Sequence, residues 1–147
     1  MASQTFRCRL ITRELLVLDE AATAAVVPAW DGLFGVRPNR APIVAQLGTG
    51  ELRLDFPDSG SAKGGSRAFF VDDGFVQMVN NELTILAVTA IPAESLNVAD
   101  AQAELAEVSS RNLESLPLAE REKVRQRRQK ASIKLQTARS FKTRGAI

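Results

Sequence analysis

Apolar and polar residues alternate with a period of two up to about Thr89, most clearly over residues 6–10 and 51–56. Successive side chains of a β-strand point to opposite faces, so this alternation predicts half-buried strands. Turn-forming residues separate the segments at short intervals: Asp31-Gly32, Gly48-Thr49-Gly50, Asp73-Gly74 and Asn80-Asn81. Short strands spaced by turns, roughly ten in number, predict an antiparallel β-sandwich or barrel.

After about Pro92 the apolar residues recur at steps of three and four, which predicts helices. Asn97 is a suitable N-cap for the first helix, and Pro117 fits the opening of a second. The predicted apolar faces are Val98, Ala101, Leu105, Val108 and Asn112 or Leu113 on the first helix, and Val124, Arg128, Ala131, Leu135 and Ala138 on the second. The sequence thus predicts a sandwich domain over residues 1–92 and a two-helix antiparallel hairpin over residues 93–147.

Composition removes several classes of function from consideration. The 147 residues include no histidine and one cysteine, Cys8, so a disulfide framework, the usual zinc sites and catalysis by a histidine base are excluded. Asp72 and Asp73 could suggest a hydrolase with paired carboxylates, but neighbouring strand residues face opposite sides and would not converge on one substrate. No segment has the apolar length of a membrane span, and residues 1–13 lack the apolar core of a signal peptide, so we expect the chain to remain in the cytoplasm.

Charge is distributed unevenly along the chain. From Leu118 onward there are ten Lys/Arg and two Glu, a net charge of +8, whereas the preceding residues carry nine Lys/Arg and fifteen Asp/Glu. This asymmetry is typical of a tail that meets an acidic surface. A solvated helix surface and a nucleic-acid-binding tail are the alternatives, although no nucleic-acid-binding motif accompanies the basic residues.

The segment from Val26 to Gly50 is rich in glycine and proline, which indicates a rigid, turn-rich crossing. It resembles the signature of the epsilon subunit family of F-type ATP synthases, Pro-Gly-x-x-Gly-x-x-Gly-Ile-x-Pro-Gly-His-Ala-Pro-Leu. The resemblance continues through residues 47–50, 73–75 and 86–90. Ala29 replaces a family glycine, and Asn39-Arg40 replaces the family's Gly-His pair. The matching positions are Pro28, Gly32, Gly35, Pro38, Ala41 and Pro42.

This resemblance implies a non-catalytic subunit of the rotor's central stalk, peripheral on the cytoplasmic face of the bacterial inner membrane. The sandwich would bind the gamma subunit and rest on the c-ring, so that ring rotation drives ATP synthesis in the catalytic alpha/beta head. The implied c-ring contacts are Trp30, Asp31, Arg37 and Arg40. The alternative is that Trp30 covers the sandwich core and the charges are simply solvated. A small sandwich module that recruits nucleic acid through its basic tail is the alternative function, and we expect no nucleic acid partner.

Some epsilon subunits bind ATP where the hairpin begins, through an Ile/Leu-Asp-x-x-Arg-Ala motif. Here Asn97 and Asp100 stand at the Asp and Arg positions of that motif. Because Asp100 would repel a phosphate, this departure from the motif leads us to expect no regulatory ATP binding, and we expect no cofactor. Helix capping is the simpler role for these two residues.

The resemblance also implies that the second helix can extend and touch an acidic loop of the catalytic beta subunits, which inhibits ATP hydrolysis. The candidate contacts are Arg125, Arg127, Arg128 and Lys130. In a docked hairpin these cations would pair with acids of the first helix such as Glu104 and Glu107. Exposed pairs contribute only about 0–1 kcal/mol each, so several would have to act together.

Overall fold

The chain divides into two compact units, residues 1–92 and 93–147. Within the residues that the structure describes, the first unit contains eight strands. The computed structural model describes residues 4–58 and 64–145. The strands are β1 Phe6–Ile11, β2 Leu16–Ala22, β3 Ala24–Ala29, β4 Gly32–Val36, β5 Ile43–Gln46, β6 Gly50–Phe56, β7 Gly65–Val79 and β8 Glu82–Pro92.

The strands follow the order β2-β1-β8-β7-β6-β3-β4, and β5 pairs with β7. One pairing differs from the antiparallel pattern expected from the sequence, because β1 runs parallel to β8. A hairpin joins strands in antiparallel orientation, whereas β1 and β8 are separated by most of the sandwich and carry no such restriction. The other pairings are antiparallel.

Strand β7 accounts for part of the difference between roughly ten predicted strands and the eight observed. It continues through Asp73-Gly74, which the sequence predicted as a turn. Both residues have positive φ, 60° and 131°, and they bend the strand without reversing it. The residues before the bend pair with β6 and those after it with β5, while β8 pairs with both parts. One long bent strand therefore pairs with β6 through its first part and with β5 through its second part.

The core is built from the inward positions of the alternating segments. Cys8, Leu10, Leu52 and Leu54 are fully buried, as the alternation predicted. Burying a leucine side chain contributes about 1.5–3 kcal/mol relative to leaving it exposed, so these positions anchor the register of their strands. The cluster of buried core residues lies within residues 6–87.

The second unit contains α1 Val98–Ser109 and α2 Leu118–Gly145, with short 3-10 turns at Ala93–Ser95 and Leu113–Ser115. The predicted caps are confirmed. Asn97 Oδ1 accepts hydrogen bonds from the N–H groups of Ala99 and Asp100 at 2.8 and 3.3 Å. The Pro117 carbonyl accepts from the N–H groups at positions 120 and 121, so α2 begins directly after the proline. In the parts of the chain that the structure describes, no helix is both long enough and apolar enough to cross a bilayer.

The facing sides of the hairpin also follow the predicted stripes. The buried apolar positions of the two helices are Ala101, Val108, Val124, Ala131, Leu135 and Ala138, and Thr137 of α2 is buried as well. Three of these are alanines, whose small side chains permit close helix packing but bury little apolar area. Arg128 shares this face and is half-buried.

Candidate functional site

Trp30 and Asp31 form the tip of the hairpin that joins β3 to β4. Ala29 pairs with Gly32 across this two-residue turn, and Gly32 has a φ of 135°. The Trp30 N–H donates to the carbonyl of Gln46 at 3.1 Å, which ties the tip to the end of β5. The Trp30 side chain is 71% exposed, so it does not cover the core. The structure thus presents an aromatic side chain in solvent at this end of the sandwich.

Arg40 is held within its own loop. Its Nε donates to the Gly35 carbonyl at 3.2 Å and its Nη1 to the Ala41 carbonyl at 3.4 Å. The guanidinium carbon lies 5.7 Å from the centroid of the Phe34 ring, a distance at which a cation–π contact stabilises the arrangement. Arg37, by contrast, is exposed. Arg40 therefore braces the loop, and Arg37 is the cation this loop offers to solvent.

Strand β4 separates these two groups of candidate contacts. Asp31 precedes its first residue and Arg37 follows its last, with five strand residues between them. At about 3.3 Å per residue their Cα atoms lie roughly 20 Å apart. The structure does not bring Trp30, Asp31, Arg37 and Arg40 together on one small surface. It places two of them at each end of the strand.

A row of apolar side chains crosses the outer face of the sandwich, a feature that sequence reasoning missed. Phe75 on β7 pairs with Leu86 on β8, Leu86 pairs with Ile11 on β1, and Ile11 pairs with Leu16 on β2. Phe75 is 62% exposed, and Leu86 and Leu16 are about half exposed. We call Leu16, Ile11, Leu86 and Phe75 the outer apolar band.

The sequence contains one signal of this band, the uninterrupted apolar run from Ile85 to Val88. In β8 the inward Ile85 and Ala87 are buried, whereas Leu86 and Val88 remain exposed on the outer face. A strand that is apolar on both faces is typical of a sheet covered on both sides. A surface cavity of about 450 Å³, lined in part by Leu15, Val17 and Val88, adjoins the band.

Paired charges border the band on three of its four strands, β1, β2 and β8. Arg7 makes a bidentate contact with Asp19, Nε to Oδ1 at 3.0 Å and Nη2 to Oδ2 at 2.8 Å. The hydrogen bond from Arg7 lowers the pKa of Asp19 below its ordinary value. Arg9 pairs with Glu82 at 3.2 Å. Ion pairs that neutralise each other beside an exposed apolar strip form the polar rim expected around an apolar contact surface.

The basic residues of α2 do not share one environment. Arg125, Arg127 and Lys130 are exposed, whereas Arg128 is half-buried and its Nε is buried without a hydrogen-bond partner. The first-helix acids expected to pair with this cluster have other partners. Glu104 contacts Lys134 at 3.4 Å, and Glu107 contacts Arg111 at 3.5 Å. Lys134, which lies outside the predicted cluster, is therefore a cation of α2 beside Glu104.

Comparison with known proteins identifies the family. The model of the ATP synthase, Delta/Epsilon chain, beta-sandwich domain matches residues 5–93. The chain belongs to this family. The resemblance noted over Val26–Gly50 and the prediction of an epsilon subunit of an F-type ATP synthase are thereby confirmed. The alternative of a nucleic-acid-binding module is not supported.

Individual relatives support the same family assignment. The ATP synthase epsilon chain of Rhodopirellula baltica is 36% identical over 103 residues, 70% of this chain and 76% of that one. That of Rubrobacter xylanophilus is 32% identical over 125 residues, 85% of this chain and 81% of that one. The second alignment is longer than the sandwich, so similarity extends into the hairpin.

Two solved structures share the fold of this epsilon-family chain. A chain of the Euglena gracilis mitochondrial ATP synthase aligns with a TM-score of 0.70 and 19% identity, over 97% of this chain and 82% of that one. A chain of the central stalk and c-ring structure of the Tetrahymena thermophila mitochondrial ATP synthase aligns with a TM-score of 0.66 and 15% identity, over 94% and 99%. At these identities the likeness establishes the architecture.

Proposed function

We propose that this chain is a non-catalytic rotor subunit that links the c-ring to the gamma subunit of a bacterial ATP synthase, on the cytoplasmic face of the membrane. The outer apolar band supports this proposal, since a subunit that transmits torque needs a firm attachment surface on a rigid body. The close-packed sandwich provides the rigid body. The Tetrahymena neighbour comes from a structure of the central stalk and c-ring, which agrees with this placement. Rotation of the ring would then reach gamma, and through it the catalytic alpha and beta subunits, by mechanical linkage.

Gamma docks, in this proposal, on the outer apolar band. Phe75 is the expected anchor, because large aromatic side chains at the centre of an interface carry much of its binding energy. Leu86 and Leu16 extend the apolar centre on either side of Ile11, and the Arg7–Asp19 and Arg9–Glu82 pairs form its rim. Covering the exposed leucines and Phe75 removes apolar surface from water, at about 25 cal/mol for each Å² buried.

Replacing Phe75 and Leu86 by serine tests this docking surface. Both side chains are exposed, so the isolated variant keeps its fold by circular dichroism, while co-purification with gamma is lost. Gln77→Ser is the matched control, because Gln77 is an exposed polar residue on the same strand and face. If Phe75→Ser/Leu86→Ser still co-purifies with gamma as the unaltered chain does, gamma binds elsewhere.

The Trp30–Asp31 tip contacts the c-ring in this proposal. Trp30 and the neighbouring Leu33 are exposed apolar side chains, whereas the Arg40 guanidinium at the other end of β4 is engaged inside its loop. We expect Asp31→Cys to cross-link to the c-ring, and Arg37→Cys to do so much less. Cys8 is buried and does not compete for the reagent. The opposite preference would assign the c-ring contact to the Arg37 end.

We infer further that ATP does not regulate this chain. Asn97 Oδ1 is occupied by two backbone N–H groups at the start of α1, and Asp100 places a carboxylate in the first turn. A phosphate would meet repulsion there instead of a cation. Calorimetry with millimolar ATP and magnesium should detect no binding. The variant Asn97→Asp/Asp100→Arg has the residues of ATP-binding relatives and should gain heat of binding. Tight binding by the unaltered chain would refute the inference.

A further inference from the structure

One asparagine side chain joins three separate parts of the sandwich. Asn81 Oδ1 accepts a hydrogen bond from the Asn39 N–H at 2.7 Å, and Asn81 Nδ2 donates to the Thr5 carbonyl at 2.9 Å. The Asn81 backbone carbonyl also accepts from the Arg7 N–H at 3.1 Å. The turn between β7 and β8 thus holds the start of β1 on one side and the loop of residues 37–42 on the other.

The backbone at both ends of the contact suits this arrangement. Asn39 and Asn81 both have left-handed conformations, with φ of 63° and 60°. Asparagine enters this region more readily than most residues other than glycine, and its amide offers a donor and an acceptor together. Asn80, the other residue of the same turn, is also left-handed, with φ of 51°. The conformational requirement is therefore shared by Asn80 and Asn81, whereas the bonds to Asn39 and Thr5 come from Asn81.

The loop that is hydrogen-bonded to Asn81 connects two strands that belong to different proposed contact regions. It leaves β4, whose hairpin carries Trp30, and it enters β5, which pairs with the Phe75 segment of β7. At the far end of β4 the hairpin is tied to the β5 end by backbone bonds, Trp30 N–H to Gln46 and Gly48 N–H to Pro28. At the loop end, β3 pairs with β6, and Asn81 adds a tie between the loop and the β7–β8 turn.

We propose that Asn81 is a positioning residue that makes the Trp30 hairpin and the strands of the outer apolar band move as one body. Its mechanical consequence rests on the proposed rotor function. Without the amide, the loop of residues 37–42 loses its tie to the β7–β8 turn and, through that turn, to Thr5, and the loop end of the hairpin is then held to the sheet through the β3–β6 ladder. A flexible connection between the Trp30 hairpin and the outer apolar band lowers the efficiency with which rotation of the c-ring is transmitted to gamma, while the docking surface for gamma stays intact.

The full-length variants Asn81→Gly and Asn80→Gly separate the side-chain tie from the backbone strain. Both replace a left-handed asparagine in the same turn, so relief of strain and the added freedom of the unfolded chain are comparable. In the isolated chain, hydrogen exchange at the Asn39 amide should be roughly tenfold faster in Asn81→Gly and unchanged in Asn80→Gly, as expected for one lost hydrogen bond. Asn81→Asp retains an acceptor oxygen and should keep Asn39 protected.

The second measurement uses the assembled ATP synthase. Asn81→Gly should co-purify with gamma as the unaltered chain does, yet pump fewer protons for each ATP hydrolysed, whereas Asn80→Gly pumps normally. Protection of Asn39 in Asn81→Gly, or equal pumping by the two glycine variants, would overturn the proposal. Failure of the rotor function itself would be recognised differently, because the unaltered chain would then not assemble with gamma.

Discussion

At the scale of single residues, Gly74 shows how one backbone position shapes the sandwich. It lies at the bend of β7 with a φ of 131°, and its carbonyl accepts from the Leu47 N–H at 2.9 Å. A Cβ at this position would overlap the carbonyl oxygen of Leu86 on the neighbouring strand. Both the conformation and the close approach of β8 therefore require glycine.

Three glycine-to-alanine changes should separate these two requirements. Gly35→Ala, in open space without a positive φ, should change the free energy of unfolding by less than about 0.5 kcal/mol. Gly32→Ala combines open space with a φ of 135° and should cost about 1–3 kcal/mol. Gly74→Ala adds the overlap with Leu86 and should cost more than either. Urea denaturation compares all three, and equal costs for Gly32→Ala and Gly74→Ala would show that the overlap is relieved without strain.

Cys8 should be unreactive in the folded protein. The side chain is fully buried, as its place in an alternating strand predicted, and this burial raises the pKa of the thiol to about 12. A rise in the thiol pKa from its ordinary value of 9.0 to about 12 lowers the thiolate fraction at neutral pH roughly a thousandfold. A thiol reagent should therefore label Cys8 only at the rate of unfolding, and at once in denaturant. Rapid labelling of the native chain would contradict this.

The same shift determines the sign of a pH effect on stability. The folded state retains the Cys8 proton to higher pH than the unfolded state does. Its contribution is therefore present below the unfolded pKa, and stability falls as the pH rises from about 9 towards about 12. Cys8→Ala should show a smaller loss over this window in urea denaturation. Identical losses in the two proteins would mean that other groups cause the alkaline effect.

At the scale of elements, the hairpin packs weakly for its length. Its buried face relies on Ala101, Ala131 and Ala138 together with a few larger side chains, and Arg128 occupies one position on that face. Exposed ion pairs such as Lys134–Glu104 add little. We therefore expect the hairpin to change between docked and extended arrangements at a modest cost in free energy.

The basic face of α2 yields a sharper test of inhibition now that Arg128 is distinguished from its neighbours. Arg125→Ala/Arg127→Ala/Lys130→Ala changes the exposed positions and should raise ATP hydrolysis by the reconstituted head, with gamma assembly intact. At about 0–1 kcal/mol for each exposed contact, the combined shift should not exceed about 3 kcal/mol. Arg128→Leu, which retains an apolar stem at the packed position, is the control and should change hydrolysis less. Unaltered hydrolysis in the triple variant would leave the basic face without an inhibitory role.

At the scale of the whole molecule, the two units have separate cores. The buried cluster of the sandwich is formed within residues 6–87, and the hairpin buries its own face between α1 and α2. The sandwich also contains both proposed contact regions, the Trp30 tip and the outer apolar band. Attachment to the rotor and regulation of hydrolysis are therefore expected to be separable properties of the chain.

Expression of residues 1–92 tests this separation. The fragment should fold cooperatively, by circular dichroism and urea denaturation, and should co-purify with gamma, because its core and the outer apolar band are complete without the hairpin. The full-length chain is the reference for gamma binding. A fragment that is unfolded, or that folds without binding gamma, would show that the hairpin contributes to the sandwich or to its docking surface.

Local features of the sequence determined many of the strands, the helix starts and the family of this protein. The alternation around Cys8 and Leu52 encodes strands and their buried faces, because a side chain's face depends only on its position within the strand. The start of α1 at Asn97 and of α2 after Pro117 follows from side-chain and backbone chemistry within a few residues. The signature from Val26 to Gly50 was sufficient to indicate the family, because its glycines and prolines stand at the spacing of the family signature.

Only the tertiary structure decided which distant residues become neighbours. The parallel pairing of β1 with β8 brings Ile11 beside Leu86, and this contact makes separate apolar residues into one band. The same pairing carries Thr5 to Asn81, which also reaches Asn39. Conversely, β4 separates Asp31 from Arg37, although the two are close in sequence. Strand pairing over long separations depends on how all strands share one core, and no local pattern specifies that arrangement.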